Sequence, residues 1–215
     1  MSFQNAVTNH ENVPPDYYET SIKNNLGQRF WHHSRFSRAL SYVSRDRNSR
    51  LLDIGSADGT FTSILISKIE PKKLVGIDVL KSSVDYANKR FVKEKSVNFL
   101  VADAHRLPFK EGVFDGVFAL EVLEHVFKPK KVLAEIRRVL VPGGYVIAIV
   151  PNEESNLFRV IWWIWTKFKG RIWKDAHVQE FTPSSLKKLF EECKFKVKKD
   201  GLFLYGMLYI IKCVK

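Results

Sequence analysis

The sequence has few of the features that mark secreted, membrane-spanning or metal-stapled proteins. Among 215 residues there are only two cysteines, Cys193 and Cys213, and their spacing matches neither a zinc site nor a disulfide framework. No apolar run approaches the ~20 residues that a membrane span requires. The first twenty residues lack the basic and then apolar order of a secretory signal. These absences predict a cytoplasmic protein in a reducing compartment.

Acidic residues are also fewer than basic ones. Lys and Arg number 35 against 23 Asp and Glu, which gives a formal net charge of +12. A basic surplus favours an acidic partner such as nucleic acid, an anionic membrane surface or a charged ligand. A lysine-rich surface that only keeps the protein in solution explains the charge equally well. Because 45% of the residues are hydrophobic, a chain of this length can bury one large core.

From residue 50 onwards, short apolar runs alternate with segments of helical length. The runs are LLDIG, KLVGIDV, VNFLVAD, FDGVFAL and GGYVIAIV, which is typical of parallel strands covered on both faces by crossover helices. The pattern predicts an α/β fold with helices over residues 60–69, 82–92 and 128–140, the last ended by Pro142, Gly143 and Gly144. Residues 195–199 and 207–214 are predicted to close the sheet as an antiparallel pair.

A single domain is predicted over residues 49–215, and two further segments are interpreted as additions to it. Residues 1–48 are interpreted as an N-terminal helical extension, interrupted near Gly27, and an insertion at about residues 153–178 is interpreted as a lid. Thr182 and Pro183 predict a capped helix after it. The buried side of the extension is predicted to consist of Tyr18, Ile22, Phe30, Phe36, Leu40 and Val43.

The stretch LLDIGSADGT, residues 51–60, places a flexible turn after the first strand. It lacks the G-x-G-x-x-G fingerprint of dinucleotide sites, and Asp58 would repel a pyrophosphate. Acidic residues also end the next two strands, so that Asp53, Asp78 and Asp103 predict a nucleoside pocket at the carboxyl edge of the sheet. A ligand with a positive sulfonium and an amino group fits this acidic turn better than a dinucleotide does.

Residues 50–151 resemble the class I S-adenosylmethionine-dependent methyltransferases. The resemblance rests on LLDIGSADGT, VGIDVL, VADAHRLPF, FDGVFALEVLEHV and RRVLVPGGYVIAIVP in this order, and it is closest to the branch that includes ubiquinone and menaquinone biosynthesis enzymes. It implies a Rossmann-like sheet of seven mostly parallel strands with the last one antiparallel. It also implies S-adenosylmethionine as cofactor and S-adenosylhomocysteine as product.

The resemblance assigns cofactor-binding roles along the first four strands. Ala57 departs from the family, which usually has a second glycine there. The residues implied are Asp53, Gly55, Ser56, Ala57 and Gly59 at the methionine end, Asp78 and Val79 at the ribose, Asp103 and Ala104 at the adenine, and Leu120 and Glu121 below the methyl group.

Two histidines are the candidates for chemistry. His125 follows the fourth strand and is the first candidate for a general base, although the Glu-His pair could equally anchor its loop. Glu121, Glu124 and His125 match the E-x-x-E-H pattern that supplies metal ligands in relatives such as small-RNA 2′-O-methyltransferases, and His177 resembles the further histidine of those enzymes. Many metal-free relatives share the pattern, so no metal remains the first interpretation.

The stretch LFRVIWWIWTKFKGRIWK, residues 157–174, contains four of the five tryptophans and five cations. It could cover a lipophilic acceptor, rest on an anionic membrane, stack on unpaired RNA bases or pack on its own domain. The N-terminal aromatic residues could line the acceptor pocket or only pack: Tyr17, Tyr18, Trp31, His32 and His33. We expect methyl transfer to a small hydrophobic acceptor, with a metal-assisted RNA 2′-O-methyltransferase and a non-catalytic cofactor-binding relative as alternatives. Oligomeric state is left open.

Overall fold

The computed structural model describes residues 13–43, 46–167 and 177–215. Within them, seven α-helices surround one seven-stranded sheet. In chain order the elements are α1 (Tyr17–Asn24), α2 (Leu26–Leu40), β1 (Arg50–Ile54), α3 (Thr60–Ile69), β2 (Lys73–Asp78), α4 (Lys81–Arg90), β3 (Val97–Val101), β4 (Phe114–Leu120), a 3-10 turn (Leu123–His125), α5 (Pro129–Val139), β5 (Leu140–Pro151), α6 (Asn156–Lys167), α7 (Pro183–Glu192), β6 (Lys196–Phe203) and β7 (Leu208–Val214).

The strand order is β3-β2-β1-β4-β5-β7-β6. The pairs from β3 to β5 are parallel, and β7 lies antiparallel between β5 and β6. The winding direction reverses between β1 and β4, which places a crevice beyond the carboxyl ends of these strands. The predicted α/β sheet with its last strand antiparallel is confirmed.

Apolar clusters cover both faces of the sheet. On one face α2 and α3 pack against β1 and β4, with the ring of Phe61 5.1 Å from Phe36 and 5.5 Å from Phe118. On the other face the apolar sides of α5 and α7 pack on the same strands. The predicted N-terminal extension therefore contributes α2 to the main core. The division at residue 48 stays a prediction.

Two local predictions were wrong. Phe30 is 58% exposed, because α2 turns it away from the sheet while Phe36 faces inwards. Residues 142–144 do not end a helix, since α5 has already ended at Val139 and these residues lie inside β5. A shift of strand register between Phe114 and Gly116 accommodates them. The break predicted near Gly27 lies at Asn25, whose side chain caps α2.

The N-terminal helices are attached to the carboxyl edge of the sheet. The carboxylate of Asp58 is 1% exposed and accepts the backbone N–H of Glu19 at 2.7 Å and that of Thr60 at 2.9 Å. This contact places α1 over the glycine turn. Within the described ranges, every helix is too short or too polar to cross a bilayer.

Candidate cofactor and acceptor sites

The glycine turn between β1 and α3 uses its backbone N–H groups internally. Those of Gly55 and Ser56 donate to the carbonyl of Ile77, and that of Gly59 donates to Ser56. Since these donors are occupied, the turn offers little to a pyrophosphate, which needs several free N–H groups. A side chain at Gly55, where φ is +71°, would meet Val122 at 2.7 Å. The backbone geometry therefore favours a ligand other than a dinucleotide.

Asp78 fixes the turn against the end of β2. Its carboxylate accepts the N–H of Ala57 and the N–H of Leu80, both at 2.9 Å. A carboxylate can accept about four hydrogen bonds, so Asp78 retains capacity for the hydroxyls of a ribose. Ala57 adopts a left-handed φ of +45°, a conformation that costs an alanine about 1 kcal/mol. The residue that departs from the family pattern is thus accommodated in the turn at a cost.

A cleft of about 980 Å³ opens at this edge of the sheet. Asp103, at the end of β3, lies in its wall with its Oδ1 2.6 Å from Nδ1 of His105. The cleft brings together eight of the eleven predicted cofactor-binding residues: Gly55, Ala57, Asp78, Val79, Asp103, Ala104, Leu120 and Glu121.

The other three predicted cofactor-binding residues lie behind the turn. Asp53 and Ser56 line a smaller adjoining cavity, where Asp53 accepts the hydroxyl of Thr62 at 2.7 Å. The hydroxyl oxygen of Ser56 is buried without a partner in the described structure. Gly59 packs against aromatic rings, because an added Cβ would meet Phe91 at 2.7 Å. Gly59 therefore supports the turn from outside the cleft.

A second cavity of about 1060 Å³ adjoins the cleft. Its walls are largely aromatic and apolar, and its polar groups come from the end of β4, from the start of α2 and from His177. The walls come from α1, α2 and α6, and include Tyr17, Tyr18, Trp31, Phe158, Ile161, Trp162 and Trp165. The polar residues are Glu121, Glu124, His125, His177, His32, Gln28 and Asn25. Apolar walls with a few convergent polar groups are typical of small-molecule sites.

Four residues line both cavities, and they mark the junction between them. They are Tyr17, Tyr18, Glu121 and His125. Of the N-terminal aromatic residues that were predicted to line the acceptor pocket, His33 alone is exposed and lies outside both walls. Among the predicted catalytic residues, His125 is at the junction and His177 lies only in the second cavity.

Glu121 is held by the N-terminal helices. Its carboxylate forms an ion pair with Arg35 and accepts the indole N–H of Trp31 at 3.3 Å. Burial lowers the pKa of Arg35 to about 10, and burial next to Arg35 lowers the pKa of His32 to about 2. The ion pair therefore brings one cation and one anion to the junction, with His32 neutral beside them.

The remaining three residues of the alternative metal set lie together. One ligand atom from each of Glu124, His125 and His177 falls within 4.8 Å of the others. Glu124 is 1% exposed, both its carboxylate oxygens lack a partner within the described ranges, and burial raises its pKa to about 8. His177 has its Nδ1 3.4 Å from Glu153 and its ring stacked on Trp162 at 4.4 Å.

Sequence reasoning missed several residues of the site. Asp58 holds α1 in place, Arg35 neutralises Glu121, and residues 13–15 line the cofactor cleft. No short motif marks them, because their roles depend on how the N-terminal helices return to the sheet. Of the N-terminal residues at the junction, only Tyr17 and Tyr18 were predicted, as an aromatic pair shortly after two prolines.

Together, the sheet order and the carboxylates at the ends of β1, β2 and β3 define the class I S-adenosylmethionine-dependent methyltransferase architecture. Residues 52–148 match the family described as "Methyltransferase domain". This segment, slightly under half of the chain, is similar to S-adenosylmethionine-dependent methyltransferases.

Three relatives illustrate the similarity. The chain is 27% identical to a malonyl-[acyl-carrier protein] O-methyltransferase of Marinomonas sp. (strain MWYL1), over 66% of the chain and 57% of that protein. It is 30% identical to a demethylmenaquinone methyltransferase of Deinococcus radiodurans, over 62% and 54%. The chain thus spans about half the length of these curated relatives. A solved S-adenosylmethionine-dependent methyltransferase of Thermotoga maritima superposes with a TM-score of 0.75 at 22% identity, over 98% and 99% of the two chains.

The buried carboxyl of Asp53 predicts a pH-dependent stability. Burial raises its pKa from 3.8 to about 7, so the folded chain retains a proton that the unfolded chain loses between these values. Stability is therefore lost as the pH rises through about 7. We expect Asp53→Asn to raise the free energy of unfolding by about 1–3 kcal/mol at pH 8 and to leave it unchanged near pH 4, measured by urea denaturation.

The control for this prediction is Asp85→Asn, which changes an exposed carboxylate on α4. It should shift stability by less than about 0.5 kcal/mol at either pH. Equal pH profiles for the wild type and Asp53→Asn would contradict the predicted role of the buried carboxyl.

Proposed function

We propose that the protein transfers a methyl group from S-adenosylmethionine to a small, apolar acceptor bound in the second cavity. The observation that carries the proposal is the junction: Tyr17, Tyr18, Glu121 and His125 line both the cofactor cleft and the aromatic cavity. Two ligands in these cavities would meet there, and methyl transfer requires the donor and the acceptor to be in contact and aligned.

The residues of the cleft fit the cofactor. Asp78 and Asp103 would accept hydrogen bonds from its ribose and its adenine amino group. Gly55 allows close approach of the backbone. When bound, S-adenosylmethionine supplies an electrophilic methyl group on a sulfonium. The chain's own part is to orient the two ligands and to exclude water.

His125 is proposed as the general base, with His177 beside it. The two rings lie 5.2 Å apart edge to face, and an imidazole can accept a proton at neutral pH. The proton that a hydroxyl or amino acceptor loses would pass to His125 at the junction. Glu121 cannot replace His125 readily, because its charge is already paired with Arg35.

The aromatic walls support an apolar acceptor. Trp162 packs against Phe158 at 5.7 Å and against His177 at 4.4 Å, and all three line the cavity, so a flat apolar molecule there would contact aromatic side chains close to the candidate base. Burial of apolar area contributes about 25 cal/mol per Å². An acceptor of this kind partitions into lipid, and peripheral contact with an anionic membrane is part of the proposal.

The first test is cofactor binding. We expect calorimetric titration to show binding of S-adenosylmethionine and S-adenosylhomocysteine to the wild type. Asp78→Asn should weaken both by about tenfold or more, because an amide has one acceptor oxygen in place of two. Asp78→Asn keeps the shape of the side chain that holds Ala57. Asp85→Asn, on the exposed face of α4, is the matched control.

An Asp78→Asn variant that binds the cofactor as tightly as Asp85→Asn does would contradict the assignment of Asp78. Failure of the wild type to bind either ligand would remove the proposed function altogether. Binding without transfer to any acceptor in a panel of lipophilic phenols and amines would favour the non-catalytic alternative.

A pair of tryptophans tests the acceptor cavity. Trp162 lines the cavity, whereas its neighbour Trp163 is 59% exposed. We expect the neutral apolar probe N-phenyl-1-naphthylamine to bind with enhanced fluorescence, and Trp162→Ala to weaken it by about tenfold or more since a large apolar contact is lost. Trp163→Ala should leave the affinity within about twofold. The reverse order of effects would contradict the assignment of the cavity.

A second candidate is metal-assisted transfer. We propose it because a buried carboxylate without a partner in the described ranges, Glu124, lies with two imidazoles in one cluster. One carboxylate and two imidazoles form a donor set known for divalent ions. Glu153 beside His177 would orient that ring, as carboxylates do for metal-binding histidines. Glu121, the fourth residue of the predicted set, is paired with Arg35 instead.

Calorimetric titration with Mn²⁺ and Mg²⁺ tests this candidate. Metal-assisted transfer requires binding that Glu124→Gln and His177→Asn each weaken by about tenfold or more, while the exposed Glu94→Gln leaves it unchanged. Absence of binding to the wild type would rule out this candidate and leave His125 as the base without a metal.

A further inference from the structure

Helix α6 presents apolar side chains to the interior and to solvent at once. Phe158, Trp162 and Trp165 face the aromatic cavity. On the outer side, exposed fractions between 45% and 59% are found at Leu157, Val160, Trp163 and Ile164. Leu157, Val160 and Ile164 follow the spacing i, i+3, i+7 of a single helix face, and Ile161 is 41% exposed while it also lines the cavity. A contiguous exposed apolar face of this kind marks an interaction site.

A second exposed apolar pair lies on another helix that lines the same cavity. Leu26 and Phe30, one turn apart on α2, are 78% and 58% exposed. Other residues of the same helix, Gly27, Gln28 and Trp31, line the cavity. Helices α2 and α6 therefore form two walls of the cavity, and each exposes apolar side chains outwards.

The segments that contain these helices have no acidic residues of their own, although Glu19 pairs with Lys23 and Glu153 and Glu154 precede α6. All 23 acidic residues lie outside two segments of the sequence, residues 20–45 and 155–174, and each segment contains five Lys or Arg residues. Arg159 and Lys167 are exposed on α6, and Lys23 and Arg29 are exposed beside the start of α2. The ammonium of Lys167 lies 3.6 Å from the ring centre of Trp163. Aromatic rings next to lysines are typical of proteins at the headgroup level of a bilayer.

We propose that the outer faces of α6 and of the start of α2 dock on an anionic lipid bilayer, and that the apolar acceptor enters the cavity between them from the lipid. The docking proposal depends on the proposed function in one respect only, namely that the acceptor is apolar. A twelve-residue helix is too short to span the bilayer, so α6 would lie in the interface. A protein partner fits less well, because it would need an acidic surface around a broad apolar one.

Vesicle flotation of the full chain tests the proposal. The probes are vesicles of phosphatidylcholine alone and of phosphatidylcholine mixed with phosphatidylglycerol. We expect the wild type to float with the anionic vesicles, to bind neutral ones at least about tenfold more weakly, and to be released by high salt. The double variant Val160→Glu/Ile164→Glu should lose binding by about tenfold or more, because it places two carboxylates in the apolar face.

Val92→Glu is the matched control, since Val92 is 78% exposed beyond the end of α4. It should float as the wild type does. Leu26→Glu/Phe30→Glu is a second test variant. It should weaken flotation although α6 is unchanged. Calorimetry with S-adenosylmethionine on every variant shows whether the fold and the cofactor cleft are intact.

Three results would overturn the proposal. They are a wild type that stays with the lipid-free fraction, a double variant that floats as the wild type does, and a Val92→Glu variant that loses as much binding. A wild type that binds no lipid but forms a dimer sensitive to Val160→Glu/Ile164→Glu would assign the face to a second copy. A wild type that binds the cofactor and the apolar probe but no lipid would refute the docking face and leave the proposed methyl transfer standing.

Discussion

The site depends on the buried carboxylate of Asp58. It joins two parts of the chain that are distant in sequence, because it accepts one N–H from α1 and one from the first turn of α3. Its charge also lies at the N-terminus of α3, where the helix dipole favours an anion, and Arg90 lies 3.9 Å away. This contact supports the position of Tyr17 and Tyr18, which line both cavities.

Charges buried at the junction reduce stability and serve the site. The ion pair of Arg35 with Glu121 has to offset the cost of removing both groups from water, and such pairs often contribute little net stability. Glu124 has no such partner within the described structure. Apolar residues in these positions would fold as well or better, so their presence points to a ligand that uses them. The glycine turn also reduces stability at the site, since Ala57 adopts a strained backbone conformation next to the cleft.

Much of the fold could be predicted from the sequence, because buried parallel strands read as apolar runs and each strand-end carboxylate follows one of them. Asp78 and Asp103 therefore lie in the cleft as the pattern indicates. The packing of the N-terminal helices was harder to predict from the sequence. Phe30 and Phe36 are six residues apart, which is about 120° around a helix, so Phe30 is 58% exposed while Phe36 is buried. The contact of Asp58 with α1 joins residues 39 apart, and local patterns carry no information on such a pair.

The tryptophan-rich sequence of α6 can be understood as one helix with two surfaces. A helix that is apolar all round is normally buried, yet α6 buries Phe158 and leaves Trp163 exposed. The same helix lines the cavity and forms the proposed docking face. If lipid contact changes the affinity for the acceptor, the acceptor by linkage changes the affinity for lipid by the same factor. Binding in the cavity and binding at the surface would in this way be coupled through a single element.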